Sequence, residues 1–217
     1  MKQGDITLKD YTFTAEKNPN GTEHNKSYAL DARPVIDGTL GGKTTAEESD
    51  ITALMEQLKA YVDNGITTII VTGETPAIID MDYYTNTAIG EAIYCLSGDG
   101  HYSEDYQYNG KIDLILQDVT EIADQEFYWA YALNSITLPK VTTVGYEAFL
   151  SCDYIKQITF GSVVTSVGEE AFEYVGYDVD GGCELVLNRD QVAVEGLAPD
   201  FDSMTWAGHT WKSITLK

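Results

Sequence analysis

Three stretches of this chain repeat one another: Val119-Thr-Glu-Ile-Ala-Asp-Gln-Glu-Phe127, Val141-Thr-Thr-Val-Gly-Tyr-Glu-Ala-Phe149 and Val164-Thr-Ser-Val-Gly-Glu-Glu-Ala-Phe172. Their starts lie 22 and 23 residues apart. The residues after each Phe match as well. Leu133, Ile136 and Leu138 in one copy fall where Ile155, Ile158 and Phe160 fall in the next. A weaker copy is Thr87-Ala-Ile89-Gly90-Glu-Ala92-Ile93-Tyr94. A fixed period of this length is the signature of a chain that winds in coils, each burying its apolar edge against the next.

Each unit has two parts. Ile136 and Leu138 alternate with Ser135 and Thr137, the period-2 pattern of a half-buried strand, and Pro139 or Gly161 stops it. From Val144 to Phe149, the spacing of Val144, Ala148 and Phe149 predicts a short helical turn, with Gly145 allowing close approach. One strand per 20–29 residues is the leucine-rich repeat range. The predicted fold is an α/β solenoid, a short right-handed stack of parallel strands with short helical turns. Extending the register gives about six strands in sequential order, starting near residues 66, 112, 134, 156, 184 and 213.

The ends need covers, because a bare coil would expose its core. Ile51, Leu54, Met55, Leu58, Tyr61 and Val62 form an apolar stripe at helical spacing. Thr45 with Glu48 reads as its capping box and Gly65 as its stop. This amphipathic helix, residues 45–65, is expected to lie across the first strand and shield its edge. At the other end, residues 188–217 with Trp206 and Trp211 form the C-terminal cap. The repeats fill about 66–187, so residues 45–217 make one leucine-rich repeat domain. Residues 1–44 are turn-rich and polar, and predict a partly extended leader that packs on the first coil or tethers it upstream.

Val-Thr-x-Val-Gly-x-x-Ala-Phe-x-x-Cys, with Ile-Thr-Leu-Pro-like strands after it, resembles the BspA-type leucine-rich repeat of bacterial surface proteins. Val141 to Phe149, with Cys152 three further on, fit best. Val164 to Phe172 carry Val175 in place of the Cys, and Val119 to Phe127 have Ala123 for the Gly and Glu126 for the Ala. The resemblance spans about residues 86–217. It implies export, an extracellular or cell-surface location, and recognition rather than catalysis.

Composition narrows the partner. The 217 residues include 35 acidic and 13 basic side chains, a formal charge of −22. That opposes nucleic-acid binding, which relies on cations to neutralise phosphates, and opposes docking on anionic membranes. No segment approaches the ~20 apolar residues needed to span a bilayer. Hydrophobic residues at 43% and aromatics at 11% argue for a folded core, not a solvating tail. The expected partner is an extracellular protein or a glycan, met by a monomer, with no cofactor.

Candidate chemistry is sparse. His24, His101 and His209 are far apart in sequence, and no metalloprotease, phosphate-loop or nucleophile-elbow motif occurs. Cys95, Cys152 and Cys183 lack metal or redox spacing and read as small core residues, with a Cys95–Cys183 or Cys152–Cys183 disulfide as the alternative. Asp178 and Asp180 beside Gly181 form a weak calcium candidate, well short of the six to eight oxygens that ion takes. Two insertions, residues 97–110 and 177–182, map to loops. The outward side chains of the strands are the main candidate binding residues: Thr68 and Ile70, Asp113 and Ile115, Ser135 and Thr137, Gln157 and Thr159, Glu184 and Val186, Ser213 and Thr215. Trp206, Trp211 and the loop tyrosines are the corresponding candidates for a glycan.

Overall fold

The alternation seen in the sequence builds one parallel sheet. The computed structural model describes residues 33–78, 84–97 and 106–217. In chain order the elements are β1 (Val35–Asp37), β2 (Thr45–Ala46), α1 (Glu48–Asp63), β3 (Thr68–Thr72), β4 (Ala77–Ile78), α2 (Ala88–Leu96), β5 (Ile112–Leu116), β6 (Glu121–Ile122) and β7 (Leu133–Leu138). Next come β8 (Thr143–Val144), β9 (Gln157–Phe160), β10 (Ser166–Val167), β11 (Glu184–Leu187), β12 (Thr205–Trp206), β13 (His209–Thr210) and β14 (Ser213–Leu216). The main sheet has seven parallel strands in the order β1-β3-β5-β7-β9-β11-β14. The six expected strands are present and sequential. The seventh, β1, comes from the segment read as a leader and pairs with β3.

Register fixes the core. Leu114, Ile136, Ile158, Leu185 and Ile214 stand side by side across five strands, all buried. A second, three-stranded parallel sheet, β6-β8-β10, runs along the coils after the first turn of each unit. Between these sheets Phe127, Phe149 and Phe172 stack with ring centroids 5.4 and 5.6 Å apart. The stack continues onto Trp206 and Trp211, whose rings lie 5.6 and 5.3 Å from Phe172. Trp206 donates its indole N–H to Leu197 O at 2.8 Å, satisfying the one polar atom of the ring.

The segment expected to be a short helical turn is not a helix. Residues 145–151 are turns, with positive φ at Glu147 and Ser151, and the same pair recurs as Gln125 and Trp129 and as Glu170 and Tyr174. Left-handed residues interrupt a helix every four positions. The freed amides bond to the next coil instead. Gln125, Phe127 and Trp129 donate to the carbonyls of Tyr146, Ala148 and Leu150 at 2.8, 2.8 and 2.9 Å. Glu147, Phe149 and Ser151 donate to Glu169, Ala171 and Glu173 at 3.0, 2.8 and 2.9 Å. Alternate amides therefore form a ladder between coils, as in a sheet. Gly145 and Gly168 permit the contact: a Cβ on either would come within 2.5 or 2.4 Å of backbone nitrogen in the preceding coil.

The first coil differs. Its repeat copy contains a true helix, α2 (Ala88–Leu96), with all nine residues buried and Thr87 capping it by accepting from the Gly90 N–H. Helix α1 starts at Glu48, later than expected. Thr45–Ala46 pairs with Ala77–Ile78, and the first turn is held at Glu47, whose N–H donates to the Asp50 carboxylate at 3.0 Å. Gly65 comes after the helix with φ +79°, as the stop signal predicted. Ile51, Leu54 and Leu58 are buried, and α1 packs against α2. It does not shield the edge of β3, because β1 already occupies that edge.

Candidate binding surface

The outward residues of the strands fall into two straight columns. Thr68, Asp113, Ser135, Gln157, Glu184 and Ser213 pair in sequence across the sheet, and so do Ile70, Ile115, Thr137, Thr159, Val186 and Thr215. Parallel pairing with one unit per strand enforces this alignment. The first column is half-buried throughout. In the second, Thr159 and Val186 are buried and not outward-facing to solvent. They stand between Thr137 and Thr215 of neighbouring strands, and next to Gln157 and Glu184 along their own, so the surrounding side chains cover them.

Polar groups on this face are tied together. Asp113 accepts from Asn134 Nδ2 and Ser135 Oγ, both at 2.7 Å. Thr159 Oγ1 donates to Gln157 Oε1 at 3.4 Å, and Lys212 sits 3.2 Å from Glu184. At the upper margin Asp118 pairs with Lys140 at 2.7 Å and accepts from the Gly73 N–H, contacts that hold its carboxyl below the usual range. The strand face is therefore internally braced, with Glu184 opposite Lys212 and Asp113 held by neutral donors.

The opposite, turn-bearing face differs in chemistry, and residue spacing alone did not single it out. Tyr84 and Trp129 stack with Tyr94 and Tyr128 at centroid distances of 4.9–6.4 Å. Tyr174 and Tyr177 are exposed and meet edge to face at 6.2 Å. Glu170 is exposed yet raised above its ordinary value, first by local desolvation and then by the like charges of Glu173, Glu147 and Glu169. A cleft of about 410 Å³ lies beside them, lined by Glu170, Glu173, Tyr174 and His209 among others. The readable signal was the 22- to 23-residue spacing of Gln125, Glu147 and Glu170, all at left-handed turn positions.

Burial decides most of the remaining candidates. Trp206 and Trp211 are buried, so neither ring is open for a sugar to stack on. All three cysteines are buried free thiols, and no disulfide joins them. Burial pushes Cys95 and Cys183 up to about 12 and raises Cys152 further, which suppresses the nucleophilic thiolate. His209 packs edge-on against Trp211 at 4.7 Å, and burial lowers its pKa to about 4. Asp178 and Asp180 are exposed, and among the described residues no group of three acids, His or Cys is placed to hold a metal. His24, His101 and most of the 97–110 loop lie outside the described residues. No described helix is long and apolar enough to cross a membrane.

Comparisons with known proteins bear on the repeat alone. A family model described as BspA type leucine rich repeat region matches residues 112–177 in six copies. Searches of curated proteins and of solved structures give no match. The matched span runs from β5 through the third turn segment, where the strand columns, the phenylalanine stack and the inter-coil ladder all repeat. It is over residues 112–177 that the chain is similar to a BspA-type leucine-rich repeat region.

Proposed function

We propose that the chain is a non-enzymatic recognition module at the bacterial cell surface, which docks an extended segment of a partner protein along its strand face as a monomer. The observation that carries this reading is the pair of aligned columns from Thr68 to Ser213 and from Ile70 to Thr215. Apart from the buried Thr159 and Val186, they present one column of polar side chains and one of Ile and Thr at the strand spacing of a parallel sheet. Leucine-rich repeats in general serve as protein-interaction modules, and the acidic net charge favours a neutral or basic partner.

The experiment is a binding panel of extracellular proteins measured by biolayer interferometry, run with wild type and with Thr137→Arg and Thr215→Arg. Loss of binding in both variants, with unchanged thermal stability, supports the strand face. Binding that survives both variants overturns it. A glycan-binding role for a nutrient-capture system is the second reading. With Trp206 and Trp211 buried, it rests on Tyr106 and Tyr177, which are 62% and 73% exposed. Polysaccharides belong in the same panel, with Tyr106→Ala and Tyr177→Ala as the deciding variants.

A further inference from the structure

Glu126 occupies a position where the two sister repeats carry Ala148 and Ala171. It is 2% exposed, deep in the turn segment after β6. Its carboxylate accepts from Ala123 N–H of its own coil at 2.9 Å and from Thr87 Oγ1 at 3.1 Å. Thr87 is the residue that caps α2, so one buried acid holds the entrance of that helix. Three further contacts make the same seam. Asn86 Nδ2 donates to Asp124 O at 2.5 Å, Tyr84 stacks over Trp129, and Gly90 lies so close that a Cβ there would be 1.9 Å from Glu126 O. This seam joins α2, and α1 packed behind it, to the repeats.

Among the described residues, none offers Glu126 a counter-charge. Glu121 on β6 adds a like charge. On α2 the neighbouring acid is Glu91, itself 1% exposed and held by the Thr85 N–H and hydroxyl at 3.1 Å, with the Cys95 thiol donating to it. Asp124 on the same coil accepts from the Tyr146 N–H, and Glu147 on the next coil accepts from Gln125 Nε2. On α1, Lys59 is placed over the Tyr108 ring. No Lys, Arg or His occurs in residues 85–97 or 112–139.

We propose that Glu126 is a pH-sensitive latch: protonated, it seats α2 on the first repeat, and ionised, it weakens that seam so that α2 opens more often. The reason is the cost of a buried carboxylate that two neutral donors only partly offset, a cost that protonation or exposure relieves. Consistent with this, burial lifts the carboxyl to about 7. The folded seam therefore holds the proton more tightly than the open one. Its contribution is complete below pH 4.5, the ordinary glutamate value, and is lost as pH rises from there through about 7.

Native-state hydrogen exchange on the full chain between pH 6 and pH 8, corrected for intrinsic rates, tests this. Protection of Ala88–Leu96 should fall about tenfold over that interval, while β7 and β9 change little. Glu126→Gln, and Glu126→Ala as in the sister repeats, should flatten the dependence, and Glu91→Gln should leave most of it. A flat wild-type profile overturns the latch, as does a slope that survives Glu126→Gln or disappears with Glu91→Gln. If either Glu126 variant fails to fold, the carboxyl resonance of Glu126 in the wild-type chain decides: a midpoint near 7 supports the latch and one below 5 refutes it.

Discussion

Gly145 shows how much one residue can settle in a stacked chain. Its missing side chain leaves room for Asp124 of the previous coil, and the Gly145 N–H donates to Ile122 O at 2.8 Å. Gly145→Ala should cost about 2–3 kcal/mol, because Asp124 N and Ala123 C, two of the colliding atoms, are backbone and cannot swing away as the Asp124 carboxylate could. Urea unfolding at pH 7 measures it, and a loss under 0.5 kcal/mol would show that the coils can spread. His209 sets the acid limb. Its pKa is about 4 in the fold against 6.5 for the free side chain, so the unfolded chain takes up the proton first. Its contribution is complete above pH 6.5 and is lost as pH falls toward 4. Wild type should lose more stability than His209→Gln between pH 7 and pH 4.5. Equal losses would place the acid sensitivity elsewhere. At this scale the repeat alignment already set Glu126 where the sister copies carry Ala148 and Ala171, but it could not name the partner Thr87, 39 positions away. Thr159 and Val186 likewise alternate correctly yet are covered by neighbours that only the sheet brings together.

Among elements, strands were legible and turns were not. A strand declares itself by alternation, and every expected strand appears where Ile136, Ile158 or Leu185 predicted. The spacing of Val144, Ala148 and Phe149 satisfied a helical pattern equally well. Left-handed φ at Glu147 and Ser151 is what excludes the helix, and neither residue type advertises that conformation. Conversely, Ala88–Leu96 looked like a weak repeat and became a full helix. Thr87 caps it, Ala88, Glu91, Ala92 and Leu96 favour the helix, and burial of all nine residues holds it despite Gly90. The aromatic stack binds these turn segments together. Phe149 is fully buried between two other rings, so Phe149→Ala should cost about 3–5 kcal/mol. Because each coil rests on its neighbours, the unfolding transition should also broaden. A loss below 1 kcal/mol in thermal or urea unfolding would mean that the stack contributes little.

The whole molecule carries its charge unevenly. From Ile112 to Asn188 the basic residues are Lys140 and Lys156, both flanking strands, whereas the turn segments hold Glu147, Glu169, Glu170 and Glu173. Self-repulsion on that scale is screened by salt. Raising NaCl from 20 to 500 mM should lift the melting temperature by about 3 °C or more, as tracked by circular dichroism. An unchanged or falling value would show that the acids are already balanced in the fold.

The ladder of amides between coils has a consequence for how such a chain can change over generations. Each coil accepts amide N–H donors from the one before on its carbonyls and donates its own amides in the same pattern to the one after. A tandem duplication of 22 or 23 residues would thus splice in one more layer, about 4.8 Å thick, with its pairing partners already supplied. Length is the quantity this architecture leaves open to selection, while the helical front and the tryptophan end stay as they are.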